Sequence, residues 1–173
     1  NASPAGDLSV LFLALNTTVV LMRGERQRRI WLPDFFRGYK ILDMAEDEMI
    51  SEIRFPVPDA ATRFNFEKVG RRAHLDIASV NSAIRLRVLD DRIVEAHVAA
   101  GSVAPIPLYL RSTVAFLQGR PISAATAREA AAVAGGEISP ISDVRGSADY
   151  KRALLQRLLL SQFLPLFPWR IRE

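Results

Sequence analysis

The sequence contains no cysteine. Within these residues that excludes a disulfide scaffold, Cys-ligated zinc, an iron–sulfur cluster and a cysteine nucleophile. Histidine is nearly as scarce. His74 and His97 lie in separate segments, too few and too far apart for a multi-histidine metal site, and no metal ligands are assigned. His74 reads as a surface residue and His97 as a structural residue of a strand. No long apolar run is present: Val10 to Leu15 falls far short of the roughly 20 residues that span a bilayer. The opening residues carry no charged n-region and no signal-peptide pattern. Nor does one sign of charge dominate. There are 23 Lys and Arg against 19 Asp and Glu, a net +4, which describes a mixed surface and not a nucleic-acid-binding one.

Hydrophobic residues occupy 49% of the 173 positions, enough to build a core and to exclude disorder across the chain. The length suits one domain, or one plus part of another, since domains commonly run to about 100–150 residues. The chain opens Asn1-Ala2-Ser3-Pro4 with no initiator Met. The expectation is a piece of a longer chain, with Asn1-Ala2 open to being a cleavage scar.

Local signals predict the elements. Ser3-Pro4 before Asp7 and an apolar run to Leu15 reads as a helix start with Ser3 as cap. Thr18 to Met22 and Arg26 to Leu32 read as strands around an Arg23-Gly24-Glu25 turn. The aromatic stretch Trp31 to Tyr39 reads as short helix or irregular structure, and Glu48 to Phe55 as a strand. Pro56 to Ala61 marks a boundary. Beyond it, Arg63 to Val69 is a strand. Ile77 to Leu89 and Ile93 to Ala100 form a hairpin about Asp90-Asp91, with Ile84, Leu86 and Val88 on one face and Arg85 and Arg87 on the other. Three helices follow: Pro107 to Leu117, Ser123 to Ala134 stopped by Gly135-Gly136, and one capped by Ser147 that runs to about Phe163. The last is apolar on every side. It therefore needs cover beyond its own core, and Phe163, Phe167 and Trp169 fit the role of interface anchors, with a second copy as one source of cover.

Several clusters admit two readings. Ser3-Pro4-Ala5-Gly6-Asp7 is either a phosphate- or nucleotide-binding helix N-terminus or a plain cap. Lys68-Val69-Gly70-Arg71-Arg72 either contacts an anionic ligand or redox ring or is a solvated turn. Glu46-Asp47-Glu48 reads as a solvated turn, and Arg26, Arg28, Arg29 and Trp31 as the exposed face of a hairpin. Asp143, Arg145 and Asp149 either knit the loop before the last helix or make a subunit contact.

The order of motifs resembles the flavoprotein subunit of the molybdenum hydroxylases, the family of xanthine dehydrogenase and carbon monoxide dehydrogenase. Ala2 to Asp7 resembles its second FAD-contacting motif, Phe35-Phe36-Arg37-Gly38-Tyr39 its paired-Phe segment, and Glu48 to Pro56 its Glu-Ile strand. Phe66 to Ala73 with Asp76-Ile77-Ala78 is similar to its Lys–Arg–Asp-Ile-Ala loop, and Gly101 to Pro107 to its Gly-Gly-Val-Ala-Pro turn. Ile138 to Arg152 is the most specific match. The family's first Gly-rich FAD motif and its Gly-Gly-Asn are not among these residues, and Gly101-Ser102 stands where Gly-Gly is common.

The resemblance implies an α+β fold. An antiparallel sheet packed with about three helices would form the C-terminal domain (residues 62–173), preceded by an incomplete α/β FAD-binding subdomain (residues 1–58). Asp7 would hydrogen-bond FAD, Gly6 would let the backbone approach it, and Ser3 would support the turn. Met49 and Ile50 would wall the cofactor. Lys68 would favour negative charge on the reduced ring, and Arg71 and Arg72 would sit in a loop that tunes access. No catalytic side chain is implied. Electrons would come from 2Fe-2S centres on a small partner subunit and leave to NAD, a quinone or oxygen, while a large partner subunit would carry the molybdenum cofactor. A cytoplasmic, xanthine dehydrogenase-like oxidoreductase is implied, with the 173 residues alone inactive and weak in holding FAD. The competing reading is a non-catalytic assembly module that binds no cofactor by itself.

Overall fold

A computed structural model describes residues 2–72 and 75–171; His74 lies outside them. In chain order the elements are α1 (Asp7–Ala14), β1 (Thr18–Arg23), β2 (Arg26–Trp31), α2 (Leu32–Phe35), β3 (Phe36–Gly38), β4 (Ile41–Leu42), β5 (Met49–Arg54) and β6 (Thr62–Val69). Then come β7 (Val80–Leu89), β8 (Arg92–Gly101), β9 (Leu108–Tyr109), α3 (Arg111–Leu117), α4 (Ala124–Glu137) and α5 (Ala148–Leu166). The architecture is α+β. The strands form antiparallel sheets in the orders β2-β1-β5, β3-β4 and β6-β7-β8-β9.

The four-stranded sheet separates two cores, and strand alternation decides which residue faces which. Ile84, Leu86, Val98 and Ala100 face α3, α4 and α5, where Leu117, Ala130, Leu155, Leu159 and Phe163 close the larger core. Ala83, Ala99 and Tyr109 face the other way, onto Val10 and Leu13 of α1, Leu21 of β1 and Phe35 of α2. The second core thus joins residues on both sides of the Pro56–Ala61 stretch. It also changes the surroundings of Arg85, which lies on this covered face and is only 4% exposed. Arg85 donates to Glu95 at 2.8 Å, and Glu95 also meets His97 Nε2 at 2.9 Å. The His97 ring bonds Tyr109 through Nδ1 at 2.7 Å. Burial holds its pKa below the ordinary value against the opposing pull of Glu95.

Asp90 and Asp91 both take positive φ, 49° and 59°, as a two-residue type I′ hairpin requires. Ser123 and Ser147 cap α4 and α5, accepting the amides of Thr126 and Tyr150 at 3.1 Å. Gly135 and Gly136 do not stop α4, which runs on to Glu137. Gly135 is instead where α5 comes close, since a Cβ there would stand 2.2 Å from Gln156 Nε2. Helix α5 reaches Leu166, one turn past the expected end. Its Phe163 and the following Phe167 are core residues, 0% and 7% exposed, whereas Trp169 is 74% exposed. The sheet and α4 provide the cover that the apolar surface of α5 needs.

The acidic turn is not free. Arg28 of β2 grips Glu48 through two nitrogens, at 2.6 and 2.7 Å, and also meets Asp43. Arg37 pairs with Asp43 as well, and Arg23 with Asp47 at 2.5 Å. The arginines of this hairpin are thus partly neutralised within the fold. The Arg28 hydrogen bonds, then the Ala45 amide, bring the Glu48 carboxyl from 4.5 down to about 2. A depressed carboxyl contributes stability above its unfolded pKa and loses it as pH falls through the folded one. Native protein should therefore lose stability between pH 4.5 and about 2 more steeply than Glu48→Gln. Urea melts of both proteins across that range check this; parallel profiles would contradict it.

Candidate functional site

The site begins at the turn before α1. Ser3 Oγ accepts the Ala5 amide at 3.3 Å, and the Ser3 carbonyl accepts that of Gly6 at 3.3 Å. Ser3 is therefore not the helix cap. The helix starts one turn later, capped by Gly6 without a side-chain bond, with Asp7 as its first residue. The amides of Asp7, Leu8 and Ser9 find no acceptor among the described residues, as expected of the first turn of a helix. They leave a donor-rich, dipole-positive helix end.

Residues far apart in sequence hold this turn. Lys68 at the end of β6 donates to Asp7 Oδ2 at 2.7 Å, and Asn81 of β7 to Asp7 Oδ1 at 2.5 Å. The Asn81 amide also reaches the Ala5 carbonyl at 3.4 Å. From the end of β8, Ser102 gives its backbone amide to the Pro4 carbonyl at 2.9 Å and its hydroxyl to the Ala78 carbonyl at 3.0 Å. Ser102 itself takes a φ of 65°.

Beside this cluster the loop after β6 folds over Asp76. One oxygen of Asp76 accepts the amides of Arg71 and Arg72 at 2.6 and 2.9 Å. Those hydrogen bonds, Arg72's foremost, hold its carboxyl below the usual range. The Arg71 guanidinium reaches the Val144 carbonyl at 3.0 Å. With Arg72, Asp76 and Arg145 they frame a basic hollow of about 430 Å³.

A second cavity, of about 360 Å³, is lined by Pro4, Ala5, Tyr39, Ser102, Asp143 and Lys151 among others. Lys151 is 1% exposed. It donates to the Ile141 carbonyl at 3.0 Å and pairs with Asp143 at 2.8 Å. Burial pushes the Asp143 carboxyl up, but the Lys151 and Arg145 contacts together leave it below its ordinary value.

The structure therefore brings together Ser3, Gly6, Asp7 and Lys68, with Arg71 in the neighbouring hollow. Met49 and Ile50 are 58% and 43% exposed on β5, an edge strand of another sheet; like Ser3, Gly6, Asp7 and Lys68, they line neither hollow. The sequence did not single out Asn81, which bonds Asp7, or Tyr39, Ser102 and Lys151, which line the second cavity. Asn81 and Ser82 share β7 with Arg85 and Arg87, so the polar content of that strand does not single them out.

Residues 65–166 match the model of the CO dehydrogenase flavoprotein C-terminal domain, and residues 1–58 match that of the FAD binding domain in molybdopterin dehydrogenase. The chain belongs to the CO dehydrogenase flavoprotein family. It is 29% identical to the glyceraldehyde dehydrogenase medium chain of Sulfolobus acidocaldarius, over 94% of this chain and 57% of that protein. It is 32% identical to the caffeine dehydrogenase subunit beta of a Pseudomonas species, over 70% of this chain and 41% of the relative. Among solved structures, a carbon monoxide dehydrogenase from Hydrogenophaga pseudoflava superposes with a TM-score of 0.91 at 27% identity, covering 96% of this chain and 58% of the other. The chain thus spans about half the length of the relatives it matches.

Proposed function

We propose that this chain is the FAD-carrying part of a molybdenum hydroxylase-type oxidoreductase. It would take electrons from iron–sulfur centres on a small partner subunit and deliver them to an acceptor such as NAD, with the molybdenum cofactor on a large partner subunit. Residues 1–58 would be the later part of the FAD-binding domain and 62–173 the C-terminal domain. The observation that carries this reading is the convergence on Asp7: a helix N-terminus, Lys68 and Asn81 meet at one carboxylate. The residues fit a dinucleotide of this kind. Asp7 uses two of its four lone-pair positions within the chain and keeps two for a ligand hydroxyl. The helix end suits a phosphate, and the adjoining cavity lies in the size range of cofactor pockets, about 300–1,000 Å³.

Bound FAD supplies the two-electron chemistry, and the protein supplies position and charge. Gly6 keeps the turn free of a side chain. Lys68 adds a positive charge that Asp7 offsets, so the pair is close to neutral at the site. Removing Lys68 leaves Asp7 uncompensated. Lys68→Ala should therefore lower the flavin's reduction potential, and Asp7→Ala/Lys68→Ala should restore part of the loss. Spectroelectrochemistry of the flavin-loaded proteins tests this. An unchanged or raised potential in Lys68→Ala would count against the placement of the flavin.

A further inference from the structure

We propose that Asn81 is the positioning residue of the flavin site: buried in β7, it aims the Asp7 carboxylate and the Ala5 carbonyl and so sets the shape of the turn that receives the cofactor. This rests on the flavin reading above. Asn81 is wholly buried, at 0% exposure. Its Nδ2 donates to Asp7 Oδ1 at 2.5 Å and reaches the Ala5 carbonyl at 3.4 Å. Its Oδ1 has no donor among the described residues. A buried acceptor left unpaired is costly and uncommon, so the side chain is kept for what its amide holds.

Position 101 supports the same conclusion. A Cβ on Gly101 would stand 2.1 Å from Asn81 Oδ1 and 3.0 Å from Val10 Cγ2 of α1. Glycine at 101 leaves the room that the Asn81 side chain occupies beneath α1. Lys68 meets the other oxygen of Asp7, but its side chain is 29% exposed, so it carries charge to the site on a flexible stem. Asn81 has no rotamer freedom to spare and fixes direction. It contacts the turn and not the ligand, so its effect on the cofactor passes through Asp7.

The test is a double-mutant cycle on flavin-stripped protein, read by FAD titration and thermal melts. Asn81→Ala should weaken FAD binding about fivefold or more. Asn81→Leu keeps the bulk but loses the donor, so it should weaken binding at least as much. In an Asp7→Ala background, Asn81→Ala should change affinity by less than about twofold. Single effects that multiply in the double variant, or native affinity in Asn81→Leu, overturn the proposal while leaving the flavin reading intact. Native protein that binds no FAD overturns both. A readout that needs no variant is the Asn81 side-chain amide in the NMR spectrum of native protein. FAD binding should shift it, and resonances that stay fixed overturn the proposal even if the variants fail to fold.

Discussion

Phe163→Ala should lower the stability of this protein by about 3–5 kcal/mol and its melting midpoint by roughly 6–20 °C. Phe163 is 0% exposed and belongs to the core between the four-stranded sheet and the helices. Its ring lies 6.3 Å from that of Phe167. Truncation removes the transfer free energy of the ring and leaves a cavity that the sheet on one side and α4 on the other cannot collapse into. Trp169→Ala, at 74% exposure, should stay within about 0.5 kcal/mol of native. Chemical denaturation of the two variants decides between a core role and an interface role for this end of α5. A loss below about 1 kcal/mol in Phe163→Ala would show that α5 is not the closing element of the core.

The contrast between Phe163 and Trp169 shows how far the sequence could be read. Signals settled within a few residues were legible. Asp90-Asp91 lies between two alternating runs, and Ser123 and Ser147 precede helical stretches; each needs only its neighbours to act. Signals completed by distant partners were not. Gly135-Gly136 reads as a stop because glycine is a poor helix former, but α5 approaches there and packing overrides propensity. Ser3 has the chemistry of a cap, but Pro4 and Ala5 close a tight turn on it first. The alternation places Arg85 on the face opposite Ile84 and Leu86 but does not give its burial, which depends on the second core that covers that face.

The candidate site divides along the same line. Asp7 and Lys68 could be named because they sit in motifs, although their ion pair spans 61 residues. Asn81 could not, since its partners Ala5 and Asp7 lie 76 and 74 residues away and nothing local demands a buried amide in β7. Met49 and Ile50 were named from the motif around them, and they lie on β5, which pairs with β1 in a different sheet. Lys151 was hidden in a helix where its neighbours Leu154 and Leu155 suggested plain core. Its partner Asp143 belongs to the loop before α5, so the pair forms only once that loop has folded back.

The second large effect is functional. Asp7→Ala removes the one residue on which Lys68 and Asn81 both converge, while leaving the turn's backbone bonds from Ser102 and Ser3 in place. If the carboxylate accepts a hydroxyl of FAD, its loss forfeits a hydrogen bond to a charged group, about 1.5–3 kcal/mol, or roughly 10- to 150-fold in affinity. The buried Asn81 amide and the Lys68 charge also lose their partner, which adds to the loss. The fold should survive, because Asp7 is at the rim of α1 and not in either core.

FAD titration of the flavin-stripped protein, native against Asp7→Ala and followed by quenching of flavin fluorescence, tests the central claim most directly. One FAD should bind each native chain saturably but weakly, with a dissociation constant above about 1 μM that is at least about tenfold higher in Asp7→Ala, both proteins melting within a few degrees of each other. Equal dissociation constants for the two, or no saturable binding by the native protein, would contradict that claim.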